Sequence, residues 1–381
     1  MAISSKKKIK VLEVIYGFGY GGIRAFIMNY LQYIDKNKFD VDIYVFGWDS
    51  SPFTNAVHKL GANIFFEGEN NATKNIPRFI KQLYTFMKTH GPYDVVHAHT
   101  NLISAWVLLA GKLAHIPIRL SHSHSTDHFH NSRLQRAYSH LRLNLINKVA
   151  TKRLACGQLA GEAMYGKGED FTVIANGIPI DKFIKGNELQ IKDLRAKLSI
   201  PRGAKVYANV TRMDTQKNHL FAVDVFNEIH KLDPTAIFVY GGVLPKISPT
   251  NELVEAKIRA YGLEQFCRFT GPIMNVEQLY HLTDVWIYCS AFEGLPFGPL
   301  ELQAAGIPVL VSDVVTAEID MGLGLVHFLS LTASPKEWAL KAVSLEKKDM
   351  DVSKIHKAFK DHNFDICQNV NILESIYEGM D

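Results

Sequence analysis

The chain alternates short apolar runs with amphipathic stretches along most of its length. In the first half, the runs fall at Ile9–Tyr16, Val41–Phe46, Asn63–Phe66, Asp94–His97, Ile118–Ser121, Arg153–Cys156 and Thr172–Ala175. Each has the length of a buried strand. Between the first two lie Ile23, Phe26, Ile27, Tyr30, Leu31 and Ile34, apolar positions three and four apart, the spacing of one helix face. This β–α–β rhythm predicts a parallel, doubly wound sheet. The second half repeats it, with runs at Lys205–Val210, Ala236–Tyr240, Cys267–Thr270, Val285–Tyr288, Pro308–Val311 and Leu325–Phe328. The helix after the first of these carries Leu220, Val223, Phe226 and Ile229 on one face. No short repeat is visible, so the pattern predicts two domains of like architecture and not a solenoid.

The rhythm lapses between Asn176 and Leu189, where Asn176-Gly177, Pro179 and Gly186-Asn187 mark a linker. The expected fold is α/β, with two doubly wound Rossmann-like domains facing a cleft. The expected domains are 1–184 and 185–361. A tail, 362–381, carries Ile366, Val370, Leu373 and Tyr377 at helical spacing and must pack on something.

Composition adds little that is unusual. A chain of 381 residues exceeds the usual size of one hydrophobic core. With 47% hydrophobic and 21% charged residues it reads as soluble and globular. A net charge of +4 is too mild to suggest a nucleic-acid partner. Cys156, Cys267, Cys289 and Cys367 are far apart, and three sit in apolar contexts, as buried thiols in a reducing compartment do. The longest apolar stretch, Leu102–Ala110, breaks at Gly111-Lys112, short of the ~18 residues that span a bilayer. The basic start, including Lys6 to Lys8, leads into a strand-like run and not a signal core. The expected location is cytoplasmic, with peripheral contact at the inner face of the membrane as an added role.

Candidate chemistry concentrates in Asp284–Asp313. Glu293 and Glu301 flank a loop with Gly294, Leu295, Phe297 and Gly298. The glycines allow a tight path past a ligand. Pro299 suits the first position of a helix, with Gly298 as its N-cap and Glu301 at the third position, where Glu bonds the cap's backbone N–H. Glu293 has no such duty and is placed to accept hydroxyl hydrogen bonds. Both fall at the carboxyl end of a strand, where open parallel sheets bind ligands. Arg212 and Lys217 follow the first strand of the second domain in the same way. A diphosphate there would gain charge-assisted bonds of about 1.5–3 kcal/mol each, more than the ~0.3–1 kcal/mol of an exposed helix dipole.

The first domain has two further features. Gly17, Gly19 and Gly22 satisfy GxGxxG between a strand and a helix. With Asp49 on a ribose, this favours an NAD-dependent oxidoreductase, although such a turn can face any anion. His97, His99, His122 and His124 end two successive runs, with the members of each pair on one face of a strand. No Cys or acid stands at a convincing ligand spacing, so a sugar-contacting or polar cleft role is expected, with no metal. The Asp-x-Asp strings at Asp40–Asp42 and Asp349–Asp351 read as solvated surface. The basic segment Asn131–Arg153, with Leu134, Tyr138, Leu141, Leu145 and Val149 at helical spacing, reads as an amphipathic helix or as a membrane-facing one.

Together these segments resemble the GT-B glycosyltransferases of family 4, of the bacterial exopolysaccharide and capsule type. The resemblance runs from about Lys8 to the last strands and helices. It rests on the Gly21-Gly22 loop followed by Met28-Asn29-Tyr30, VVHAHT, IPIRLSHSHST, LACGQLAGEAMYG, VIANGIPIDKF, the Arg212/Lys217 loop and the Glu293-to-Glu301 spacing. It implies a retaining transfer of a hexose from a nucleotide sugar, usually a UDP-sugar, with no metal or other cofactor. The first domain would bind a lipid-linked or oligosaccharide acceptor and the second the donor, the two closing around it. Glu293 would contact the donor sugar, Glu301 the ribose, and Arg212 and Lys217 the diphosphate, with Gly21 and Gly22 in the glycine loop. His122 and His124 compete for the substrate-contacting histidine. The tail helix would cross back to the first domain. Departures are Thr211, where a Gly is usual, and Ala175 and Pro179 in the linker. Rival readings are a nucleotide-sugar epimerase, the oxidoreductase, and a non-catalytic sugar-nucleotide binder.

Overall fold

The computed structural model describes residues 7–19, 21–47, 53–68, 75–125, 132–242, 249–273 and 275–380. Lys6, Asp49 and Asn131 lie outside them. The chain forms two compact units, Met1–Gly177 with Asn363–Asp381, and Ile178–His362.

The first unit holds a seven-stranded sheet: β1 (Ile9–Ile15), β2 (Phe39–Val45), β3 (Asn63–Phe66), β4 (Val95–Ala98), β5 (Ile118–Ser123), β6 (Lys152–Ala155) and β7 (Thr172–Val173). Their order is β3-β2-β1-β4-β5-β6-β7, and every pairing is parallel. Helices cover such a sheet on both faces, so its strands read as continuous apolar runs. In β1, Val11, Leu12, Val14 and Ile15 are fully buried. Glu13 interrupts that run and is itself only 6% exposed.

The helix Gly22–Tyr33 buries Phe26, Ile27, Tyr30 and Leu31. The tail forms the helix Ile366–Tyr377, capped by Asp365, which accepts from the backbone of Cys367 and Gln368. Its stripe Ile366, Val370, Leu373 and Tyr377 is buried in this unit. Glu374 accepts from the backbone of Asp35 at 2.7 Å, and Asn369 donates to the Ala175 carbonyl at 3.1 Å. The unit boundary falls at Gly177, earlier than residue 184. Asn29 donates to the Gly177 carbonyl at 3.0 Å and so ties the exit of the first sheet to its own unit. The next helix, Ile180–Ile184, already belongs to the second unit, where His281 Nε2 lies 2.8 Å from the Phe183 carbonyl.

The second unit holds β8 (Val206–Val210), β9 (Ile237–Gly241), β10 (Cys267–Phe269), β11 (Val285–Tyr288), β12 (Val309–Ser312) and β13 (Val326–Leu329). The order is β10-β9-β8-β11-β12-β13, again all parallel. Strand order therefore reverses between β1 and β4 in one sheet and between β8 and β11 in the other. The carboxyl ends flanking such a reversal form the ligand crevice of open α/β sheets. The loops beside that point pack closely. A Cβ on Gly242, whose φ is +124°, would sit 2.0 Å from the Thr211 carbonyl, so only glycine fits. Among the described residues, no helix is long and apolar enough to cross a membrane.

Candidate active site

In the second unit, β8 ends at Val210 and the chain enters a single 3-10 turn, Thr215–Lys217. Asp214 caps that turn by accepting from the Lys217 backbone at 3.2 Å. β11 ends at Tyr288, and its following loop docks on the turn through Ala291 N–H to the Gln216 carbonyl, 2.8 Å. These bonds bring Glu293 against Lys217. The two form an ion pair, with side chains 8% and 12% exposed respectively. Tyr288 donates to Glu293 at 2.9 Å, and Gln216 donates to its other oxygen at 3.3 Å. Burial and the facing carboxylate raise the Tyr288 phenol well above its usual range, so it stays a donor.

Arg212 is more open, its side chain 43% exposed. It bonds Gln216 at 3.1 Å and pairs with Asp214 at 3.2 Å. Gln216 thus bridges Arg212 to Glu293. The loop is held from beneath by His219, whose Nε2 lies 3.0 Å from the Thr211 hydroxyl and 3.1 Å from the Arg212 carbonyl. Burial lowers the His219 pKa to about 4, so the ring is neutral at neutral pH. Thr211 therefore has a structural job at a position where the resemblance expected glycine.

Glu301 does not occupy the capping position expected of it. The helix runs Phe297–Ala304 with Pro296 at its N-cap and no side-chain cap bond. Pro299 is consequently the third helical residue and Glu301 the fifth, past the third position from which a Glu bonds the cap. Instead Glu301 accepts from Tyr280 at 2.6 Å. Leu295 and Phe297 are 6% and 8% exposed and pack in the core, so their side chains are not presented to a ligand. A Cβ on Gly298 would rest against the Tyr288 ring at 3.5 Å, an ordinary contact. Gly294 is partly exposed.

In the first unit, Gly21 precedes its helix with φ near 174°, which any residue adopts. A Cβ at Gly21 or Gly22 would meet nothing within 4 Å. Neither backbone strain nor packing therefore demands glycine there. The four histidines converge on Glu13. His99 Nε2 lies 2.6 Å from Glu13 Oε2, His99 Nδ1 2.7 Å from His124 Nε2, and His97 Nε2 3.1 Å from His122 Nδ1. Tyr377, on the tail helix, donates to Glu13 Oε1 at 2.7 Å. Phe26 packs edge-on to His122 and His124, at 5.0 and 5.3 Å. His122 is fully buried. His124 is half-buried and is the more exposed member of that pair.

Nitrogens of His97, His99 and His122 lie within 4.8 Å of one another, so the histidines that end the two successive strands do cluster. Their bonding matches a hydrogen-bonded network better than a metal site. Metal ligation needs a free lone pair on each ring. His97 Nε2 and His99 Nδ1 already face other rings, and only His122 Nε2 of the three lacks a partner among the described residues.

Two further expectations are corrected. Asp42 is not solvated surface: it lies inside β2, 1% exposed, and accepts from Tyr93 at 2.7 Å and Asn63 at 2.8 Å. Asp349 and Asp351 are exposed, as expected, although Asp349 lies outside any helix and Asp351 caps the helix Val352–Asp361. In the helix Arg133–Val149 the expected stripe faces outward in its first half, with Leu134 85% and Leu141 60% exposed. Ser139, Arg142, Ile146 and Val149 are the buried side.

Two parallel doubly wound sheets, with a cationic loop and two partly buried acids beside the switch point of the second, fit the GT-B class of sugar transferases. Comparison with known proteins bears this out. The model of the family "Glycosyltransferase Family 4" matches residues 20–182, and that of "Glycosyl transferases group 1" matches residues 190–321. This chain belongs to the family 4 glycosyltransferases and is a transferase enzyme. It is 29% identical to the putative glycosyltransferase EpsF of Bacillus subtilis, across 98% of this chain and 97% of that one. It is 23% identical to the Escherichia coli UDP-Gal:alpha-D-GlcNAc-diphosphoundecaprenol alpha-1,3-galactosyltransferase, across 82% and 81%. The crystal structure of Anabaena HepE in complex with UDP and glucose shares the fold, with a TM-score of 0.76 at 18% identity, covering 97% of this chain and 100% of that one. The glycine loop of residues 17–22 is therefore not the mark of an oxidoreductase.

Proposed function

We propose that the chain moves a hexose from a UDP-sugar to a hydroxyl of a lipid-linked saccharide, with retention of anomeric configuration, in the assembly of an exopolysaccharide or capsule. The observation that carries this is the Lys217–Glu293 pair beside Arg212 at the switch point between β8 and β11. Arg212 and Lys217 would bind the diphosphate and stabilise the charge that grows on it as the glycosidic bond breaks. In this mechanism they do the work a metal ion does elsewhere, and no cofactor is required. Glu293, held by Lys217, Tyr288 and Gln216, would accept from the sugar hydroxyls, and Glu301, which accepts from Tyr280, would bond the ribose. Retention comes from the family resemblance. The UDP-sugar and the lipid-linked acceptor are supported by the printed activity of the galactosyltransferase relative and by the UDP complex of HepE.

Calorimetric titration of the full chain with UDP-hexoses tests the donor assignment. Saturable binding to at least one is expected, and no heat with any of them counts against it. Exposed Leu134, Tyr138 and Leu141 beside Arg133 and Arg136 support a peripheral membrane contact. Co-sedimentation with phosphatidylglycerol vesicles should fall several-fold in a Leu134→Ser/Leu141→Ser variant. Equal sedimentation would remove that helix from the contact.

A further inference from the structure

The network around Glu13 has a definite proton order. Burial alone would raise the Glu13 pKa, but His97 and His99 outweigh it and hold the carboxyl well below the usual carboxylate range, so Glu13 accepts. Tyr377 donates to it at 2.7 Å, and burial keeps that phenol protonated. His97 Nδ1 lies 2.8 Å from the Tyr377 oxygen and 3.3 Å from Glu13 Oε2. With the phenol proton already committed to Glu13, both neighbours are acceptors, so Nδ1 carries the hydrogen. In a neutral His97, which carries one N–H, Nε2 accepts and His122 Nδ1, 3.1 Å away, donates to it. His122 is left with a bare lone pair on Nε2, its buried and unpartnered atom. The second arm runs the same way. His99 Nε2 donates to Glu13 at 2.6 Å, so its Nδ1 accepts from His124 Nε2 at 2.7 Å. The lone pair of His124 therefore sits on Nδ1. Burial lowers His99 to about 4 and holds His122 and His124 well below their usual range, so these three rings are neutral at neutral pH.

For a neutral His97 the reverse order fails on one contact. If His122 Nε2 carried the proton, His97 would have to donate through Nε2 and accept at Nδ1. Tyr377 would then give its proton to His97, leaving two acceptor oxygens facing each other at 2.7 Å with no hydrogen between them. An unmade bond of that kind is costly in a buried site.

We propose that Glu13 is a positioning residue that fixes the tautomers of both histidine arms, so that His124 presents Nδ1 as a hydrogen-bond acceptor to a hydroxyl of the sugar substrate. This rests on the glycosyl-transfer reading. The family resemblance implies only that a histidine here meets substrate; Glu13 sets which atom meets it and in which proton state. An acceptor at that position binds a hydroxyl through its hydrogen and leaves the oxygen lone pairs free. A donor would occupy one of them. Tyr377 brings the end of the chain into the same network, so the tail helix bears on the site as well as on folding.

Long-range proton–nitrogen spectra of the full chain with 15N-labelled histidine test the order directly, without substrate. In the unsubstituted protein, His122 should appear as the Nδ1–H tautomer and His124 as the Nε2–H tautomer. Either ring in the other form, or charged at about pH 7.5, where a ring of ordinary pKa is already neutral, overturns the proposal even if no variant folds. Glu13→Gln, which can donate as well as accept, should turn both rings into mixtures. Tyr377→Phe should leave both as they are, because His97 Nδ1 still faces Glu13. Unchanged spectra in Glu13→Gln, or mixing in Tyr377→Phe, would move control away from the carboxylate. In transfer assays Glu13→Gln should lower kcat about tenfold, the loss of roughly one hydrogen bond, with the donor KM unchanged. Undiminished kcat in a folded Glu13→Gln whose tautomers have shifted would remove His124 from the substrate. If the unsubstituted protein transfers no sugar, the functional reading fails while the spectra still decide the proton order.

Discussion

Lys217→Ala should cost donor affinity and stability together, and the two losses should separate in a second variant. The lysine offers one charge-assisted bond to a diphosphate, about 1.5–3 kcal/mol, so UDP-hexose affinity should fall roughly 10- to 10²-fold. The same substitution strands Glu293, whose side chain is 8% exposed, without its cation. Tyr288 and Gln216 still donate to it, so the stability cost is that of an under-satisfied buried acceptor, about 1–3 kcal/mol. In a unit of this size that lowers Tm by about 2–4 °C per kcal/mol. Adding Glu293→Gln to Lys217→Ala removes the stranded charge. The double variant should regain most of the Tm and none of the donor affinity, a coupling that a double-mutant cycle reads out. Calorimetric titration and thermal unfolding of the two variants check it. Recovery of UDP-hexose affinity in the double variant would take the diphosphate away from Lys217.

The second large effect is acid sensitivity that begins above the carboxylate range. Burial lowers His99 and His219 to about 4, against about 6.5 in the unfolded chain. The unfolded state therefore binds more protons between these values, and stability falls as pH drops from about 6.5 towards 4. Each ring accounts for about 3 kcal/mol over that window. His122 and His124 act in the same direction through the same coupled cluster as His99, so their contributions do not simply add. Glu13 has a depressed folded pKa and adds its own loss only below its unfolded value, near 4.3. Thermal unfolding in buffers from about pH 8 to about pH 5 should show Tm flat to about pH 6.5 and falling by several degrees per pH unit below it. A flat profile across that whole range would mean that these rings are not buried and neutral.

Much of the fold could be read along the chain, because parallel strands buried on both faces are marked by unbroken apolar runs. Each of the thirteen strands of the two sheets overlaps a run in the sequence. The site was legible only in part. Arg212, Lys217, Glu293 and Glu301 stand out because they are charges in the segments that follow the carboxyl ends of predicted strands, where open parallel sheets bind ligands. Their partners do not stand out. Tyr288 reads as the last apolar residue of β11, Tyr280 as part of an amphipathic helix, and Gln216 as a loop polar residue. The docking of the β11 loop on the 3-10 turn reveals what Tyr288 and Gln216 hold, and the packing of Tyr280 on the helix Phe297–Ala304 reveals its bond to Glu301. The start of the helix at Phe297 was misplaced because proline is tolerated at any of the first few helical positions, whose N–H groups are unpaired in any case.

Glu13 was missed for a different reason. Its one signal is an acid inside an apolar strand, KVLEVI, and such a residue needs a buried partner that only strand order can supply. Pairing of β1 with β4 brings His97 beside it, and the tail helix brings Tyr377 from the far end of the chain. The stripe of the helix Arg133–Val149 misled because leucines at helical spacing normally mark a buried face, whereas here Leu134 and Leu141 point outward.

The central claim is that this chain transfers a hexose from a UDP-sugar to a lipid-linked hydroxyl with retention. The most direct measurement incubates the purified full chain with UDP-hexoses of α configuration and a polyprenyl-diphosphate-linked sugar. The new glycosidic linkage is then read from its anomeric proton coupling. An α-linked product, lost when Arg212 is replaced by Ala, is the predicted result. A β-linked product, or hexose transfer that persists undiminished in Arg212→Ala, would contradict it.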